Sequence, residues 1–234
     1  MDKYQFLKEE ERLDYTLQTL NEEVLNYIEK RKEIANYILD YRKNFIEEHK
    51  DDEDALMEYF DHERYVKEEY YKQIDKKLME LTKLKETPYF GKVIFSDEDD
   101  CQEEIYVGRY GLTKDATFES IIIDWRAPIA SLFYKGSLGP ATYKTPDGEL
   151  SADILSRRQF VIKKGSLQGY FDSEVDVKDE ILQMILSSNS GEKLKDIVMT
   201  IQQEQDDIIR EERMKVVVVN GVAGSGKTTI ALHR

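Results

Sequence analysis

Leu13, Leu17, Leu20, Val24, Tyr27, Ile34, Ile38, Tyr41 and Phe45 follow one another at alternating steps of three and four residues, interrupted only where Arg31 stands in line. An apolar repeat averaging roughly 3.5 residues is the seam of a coiled coil, and here it lasts more than four heptads. No Gly or Pro occurs from Tyr4 to Glu86, so the pattern predicts long uninterrupted helices. The first is expected from about Gln5 to His49, roughly 65 Å at ~1.5 Å per residue, which is more than one compact domain of this size can cover. It is therefore expected to project. A second helix, from about Asp54 to Lys85, carries Leu56, Phe60, Val66, Tyr70, Ile74, Leu78 and Leu81 with a looser period. A turn around "HKDDED" would fold it back antiparallel on the first as a two-helix hairpin, with Asp51, Asp52, Glu53 and Asp54 at or near the tip. Those acids admit two readings. They can be a solvated turn with the cap and first-turn acids of the second helix, or a carboxylate-bearing tip that reaches a cationic or metal-containing site on a partner.

"KETPYFGK" ends the helical pattern, because Pro88 and Gly91 both break helices. From about Gly91 to Phe171 short runs rich in Val, Ile, Tyr and Phe alternate with turn signals: "KVIFSD", "EIYVGRYGL", "SIIIDW", "SLFYKG", "ATYKT", "DILSRRQFVIKKG" and "SLQGYF". They predict a small, mainly antiparallel sheet or barrel, with hairpin turns at Pro146, Asp147 and Gly148 and at Gly165. Ile121 to Ile123 read as a buried strand. Asp124, Trp125 and Arg126 directly after it either lock the strand end against a loop or carry a function of their own. Beyond Asp172 "VKDEILQMILSSNSG" and "EKLKDIVMTIQQEQDDIIREERMK" read as helices, and Val216 to Val219 as a buried parallel strand. The expected fold is α+β in three parts: a coiled-coil hairpin over 1–88, a mainly β domain over 89–175, and over 176–234 helices that lead into the valine strand.

Composition narrows the classes of function. With 40% apolar and 11% aromatic residues the 234-residue chain has enough material for a core. A net charge of −14 argues against coating nucleic acid by bulk electrostatics, since phosphate affinity comes from Lys and Arg that displace counterions. An acidic chain reaches nucleic acid by another route or takes a basic protein partner. The single cysteine, Cys101, cannot form an internal disulfide, no leader stands at Met1, and no apolar run suggests a membrane span. A reducing, cytoplasmic setting is expected.

"NGVAGSGKTTIALHR" carries the candidate chemistry. Gly221, Gly224 and Gly226 let backbone N–H groups turn inward around phosphate oxygens, with Val222, Ala223 and Ser225 between them. Lys227 adds a positive charge toward the β and γ phosphates, Thr228 can place its hydroxyl on Mg²⁺, and Thr229 continues the motif into a helix whose positive end faces the same anion. Gln205, with fifteen residues between it and Gly221, has an amide able to read the N6 and N7 edge of adenine.

Together these residues resemble the opening of a superfamily 1 helicase motor, where a Q motif precedes the Walker A sequence at about this spacing, and the resemblance implies that 176–234 is the truncated start of a RecA-like α/β motor. His233 then fits a helix position of the family pattern better than a metal ligand or base. "PYFGKVIF", "IYVGRYGL", "IIIDWRAPIASLFY", "LSRRQFVIKKG", "DEILQMIL" and "KDIVMTIQQEQDDIIR" extend the resemblance to the amino-terminal part of the HelD branch of UvrD-like helicases. That resemblance implies ATP and Mg²⁺ as cofactors and bacterial RNA polymerase as partner, with ATP used to free the polymerase from stalled complexes. It also implies a hairpin that enters the polymerase secondary channel and brings Asp51 to Asp54 toward the catalytic Mg²⁺.

A superfamily 1 motor also needs a Walker B acid pair and arginines from a second RecA-like domain. Both are expected beyond Arg234 in a complete member, so no complete catalytic set is expected here and ATP hydrolysis by these residues alone is expected to be negligible. Two alternatives stay open: a stand-alone polymerase-binding module without ATPase activity, and a fragment of a UvrD-like DNA repair helicase. DNA would be reached through the longer protein.

Overall fold

The computed structural model describes residues 3–48, 62–135, 137–172, 203–211, 214–222 and 224–234. Helix α1 (Lys3–Glu48) extends about 70 Å by its 46 residues. Every apolar seam position named above is at least half-buried, and Leu13, Leu20 and Ile38 are buried. Helix α2 (His62–Leu84) lies antiparallel along it: Arg31 pairs with Asp75, and further out Arg42 pairs with Glu68. The break in the apolar repeat has a physical reason. The Arg31 guanidinium lies 5.3 Å from the centre of the Tyr71 ring on α2 while its charge meets Asp75, so a cation fits the seam without burying an unpaired charge.

On α2 the expected register holds only near the base. Ile74 and Leu81 are buried and Leu78 is half-buried, but Val66 and Tyr70 are exposed. Lys67 and Tyr71 take the inward places instead, Lys67 lying over the Tyr37 ring of α1 and Tyr71 under Arg31. The expected helix start, Leu56 and Phe60, and the acids Asp51, Asp52, Glu53 and Asp54 lie outside the described residues.

Seven strands form one mainly antiparallel sheet: β1 (Gly91–Ser96), β2 (Gln102–Gly108), β3 (Leu112–Lys114), β4 (Glu119–Asp124), β5 (Gly139–Thr145), β6 (Gly148–Lys163) and β7 (Ser166–Asp172). The order is β3-β4-β2-β1-β6-β5, with β7 continuing along β6. Strands β2 and β4 run parallel, joined at Val107 with Ile123 and Gly108 with Asp124. Lys164 and Gly165, both at positive φ (51° and 73°), make the tight turn from β6 to β7, the conformation a two-residue hairpin requires.

Two expectations are corrected. Ser131 to Tyr134 of "SLFYKG" form a helical turn, α3, and not a strand. Pro128 starts a 3₁₀ turn over Pro128–Ala130 that runs straight into it, and all four residues of α3 are buried. Val216 to Val219 are not a strand either: Val216 and Val218 are 78% and 88% exposed, and no described residue pairs with them in a sheet. Valine composition favours a buried parallel strand only where neighbouring strands supply the ladder.

Alternation along the strands gives the sheet two apolar faces. Tyr106, Ile122, Phe160 and Ile162 pack with Leu13, Leu20, Leu81 and Leu84 of the helices. Val93, Phe95, Val107 and Ile154 pack with Trp125, Leu132 and Phe133 on the other face. A buried ion cluster pins α1 to the first face. Glu9, 1% exposed, accepts from Lys92 (3.0 Å), Arg158 (2.7 Å) and the Tyr106 hydroxyl (3.0 Å). Burial alone would raise Glu104, but the hydrogen bond and charge of Lys92 outweigh it and hold its carboxyl below the usual range. Burial, then the Glu9 carboxylate, pushes the Tyr106 hydroxyl well up, so it stays protonated and donating.

Beyond Lys30, which pairs with Asp115 at the β3–β4 turn, the ion pairs that tie α1 to another element among the described residues are to α2. The last 18 residues of α1, roughly 27 Å at ~1.5 Å each, are thus carried by the helix pair. No described helix is long and apolar enough to cross a membrane.

Candidate nucleotide loop and its seat on the sheet domain

The glycine loop leads into helix α5 (Lys227–His233). Gly224 and Gly226 sit at φ 85° and 78°, backbone angles that side chains disfavour, so these two positions need glycine. Gly226 is doubly constrained: a Cβ there would lie 3.0 Å from the Gln205 amide nitrogen. The Lys227 ammonium turns back over the loop and donates to the carbonyls of Gly221 (2.8 Å) and Val222 (2.7 Å), with Ser225 Oγ at 3.4 Å. A cation held by the loop's own carbonyls at the helix start is chemically suited to a polyanion, which would offer that ammonium stronger acceptors. Thr228 is exposed at the first turn of α5, where its hydroxyl could serve a metal bound to such an anion. Ala223 lies outside the described residues, and Thr229 has only its backbone described.

Gln205 belongs to helix α4 (Gln203–Ile209) and donates from Nε2 to the Ser225 carbonyl at 3.2 Å. The fold therefore brings the expected adenine reader against the loop. No group of His, Cys, Asp and Glu able to hold a metal ion is found among the described residues. The open cleft of about 480 Å³ near the β1–β2 turn is lined by acids such as Asp97, Glu98 and Asp153 and takes in none of the loop residues.

The residues that seat this assembly on the sheet carry little signal in the sequence. Arg210, at the end of α4, donates to the backbone carbonyls of Trp125 (2.6 Å), Arg126 (3.1 Å) and Ala127 (3.0 Å). Its Nε–H is shared between the two carboxylate oxygens of Asp206, at 2.7 and 2.9 Å. The spacing of Asp206 and Arg210, four apart on one helix, is the only local hint. Burial raises Asp206 above the usual carboxylate range even though the Arg210 charge and hydrogen bond pull it down. Trp125 is 3% exposed, and its indole meets the His233 ring edge-on at 5.3 Å. Burial first, then the charges of Arg109 and Arg126, hold the His233 imidazole below its ordinary value, so it packs there neutral. Asp124 and Arg126 pair with each other in two-point fashion, at 2.9 and 2.7 Å. They lock the strand end, while Trp125 between them faces the core.

These elements define an α+β protein in which a long helix pair and a glycine-rich loop share one mainly antiparallel sheet. Over residues 6–185 the chain matches the family described as DNA helicase IV HelD, N-terminal domain, and it belongs to that family. A comparison with curated proteins gives no match. The matched stretch stops before Gln205, so the nucleotide reading rests on the loop itself.

Proposed function

We propose that the chain is the arm-and-platform part of a HelD-type helicase that binds bacterial RNA polymerase, its α1–α2 pair forming a coiled-coil hairpin that enters the secondary channel. The observation that carries this is the pair itself: a gap-free α1 of 46 residues, braced by α2 and continuing past the sheet toward the acids at Asp51 to Asp54, in a member of this family. A stiff arm loses little entropy on insertion, and an acidic one is drawn to a channel that must be basic to handle RNA and nucleotides. The glycine loop, with Gln205 and Lys227, is the start of the ATP·Mg²⁺ site of a RecA-like motor. A DNA repair role fits less well, because the net charge of −14 opposes sequence-independent binding to DNA.

The test is retention of core RNA polymerase by the immobilised chain, repeated with Asp51, Asp52, Glu53 and Asp54 all changed to Asn. The wild-type chain is expected to retain polymerase and to compete with a transcript-cleavage factor, and the fourfold variant to lose most of both. Equal retention and equal competition by the variant would reduce the acid cluster to a solvated turn.

A further inference from the structure

We propose that the turn Trp125–Ala127 is the seat of the nucleotide loop, and that Arg210 is the positioning residue that couples a polyphosphate on the loop to the sheet domain. The proposal rests on the reading of the glycine loop as a nucleotide site. Three observations meet in it. Helix α4 touches the loop at one end, through Gln205 and the Ser225 carbonyl, and the sheet domain at the other, through Arg210 and three consecutive carbonyls. Helix α5 returns to the same seat: His233 packs on the Trp125 indole, and Arg234 donates to the Ile208 carbonyl of α4. The seat is itself bonded into the sheet, since the Trp125 N–H donates to the Gly108 carbonyl at 2.9 Å.

The chemistry explains why an arginine is needed. Carbonyls in succession at a strand end point three acceptors toward one place, and a planar guanidinium can bind them through its two terminal nitrogens while its Nε–H is shared between the Asp206 oxygens. A lysine has the charge but not the fork. When a polyphosphate takes over the Lys227 ammonium from the Gly221 and Val222 carbonyls, the loop must readjust. Gln205 and the first turn of α5 are the parts in contact with it, and both are tied to Trp125.

Trp125 is the only tryptophan, so its emission reports on the seat without a label. The experiment titrates Mg·ATP to millimolar concentration into the whole chain, following Trp125 emission and, separately, heat of binding. Arg210→Gln, Arg210→Lys and Lys227→Ala are compared, with far-UV circular dichroism to confirm folding. The wild type is expected to bind and to change its Trp125 emission, and Lys227→Ala to do neither. Arg210→Lys, which keeps the charge and the fold, is expected to lose most of the emission change and to bind about tenfold more weakly, the scale of a lost charge-assisted hydrogen-bond set. Binding by Arg210→Lys with a wild-type emission change would overturn the coupling and leave the nucleotide site standing. Absence of heat and emission change in the wild type would overturn the nucleotide reading, and the coupling with it.

Discussion

Glu9→Ala is expected to destabilise the folded chain by about 3–5 kcal/mol, the cost of breaking a buried ion cluster by removing one partner. The substitution leaves Lys92 with Glu104 alone and Arg158 with Asp172 alone, and it removes the Glu9 acceptor of the buried Tyr106 hydroxyl. Lys92 and the Tyr106 hydroxyl, both buried, cannot turn to water without opening the contact between α1 and the sheet. Urea unfolding followed by circular dichroism measures the loss. Asp75→Ala, which breaks the exposed Arg31 pair, is the control and is expected to cost a small fraction of it. Similar losses for the two would mean that the Glu9 cluster does not hold the arm to the sheet.

Gly108→Ala is expected to cost about 2–3 kcal/mol or more, at the upper end of overpacking effects. A Cβ at Gly108 would lie 2.5 Å from the Pro88 carbonyl oxygen and 2.6 Å from the Ile122 side chain. The Pro88 oxygen is backbone at the junction where the helices hand over to the sheet, so relief requires the junction to shift. The Gly108 carbonyl also holds the Trp125 N–H, so the same shift is expected to redden Trp125 emission. A melting temperature unchanged within error, with unaltered emission, would show that the junction gives more easily than its geometry implies.

How much of this was legible beforehand follows from how local each signal is. The α1 seam could be read because a heptad repeat is a property of neighbouring residues, and every apolar position of it turned inward. On α2 the two adjacent tyrosines, Tyr70 and Tyr71, fit the pattern almost equally. The choice between them was made by Arg31, 40 positions before Tyr71 in the chain. "SLFY" shows that so short a run has no period to separate strand from helix, and Pro128 just before it was the better guide. The valines at 216–219 have strand composition, but a buried strand is made by its neighbours. The glycine loop was readable as a motif because phosphate binding needs fixed residues at fixed spacing. Its seat was not, because Arg210 lies 85 residues from Trp125 and meets backbone carbonyls, which leave no mark on the side-chain pattern. The Glu9 cluster was hidden for a similar reason, its members lying 83, 97 and 149 residues apart.

The central claim, that the outer end of the helix pair enters the polymerase while the sheet stays outside, is tested most directly by placing a photo-crosslinking residue at one of two exposed sites. Asn44 lies near the far end of α1, and Leu150, 42% exposed, lies by the β5–β6 turn. With core RNA polymerase, the probe at position 44 is expected to crosslink to walls of the secondary channel and to lose those products when a cleavage factor is added, while the probe at 150 gives none there. Channel crosslinks from position 150 with none from position 44 would contradict the account.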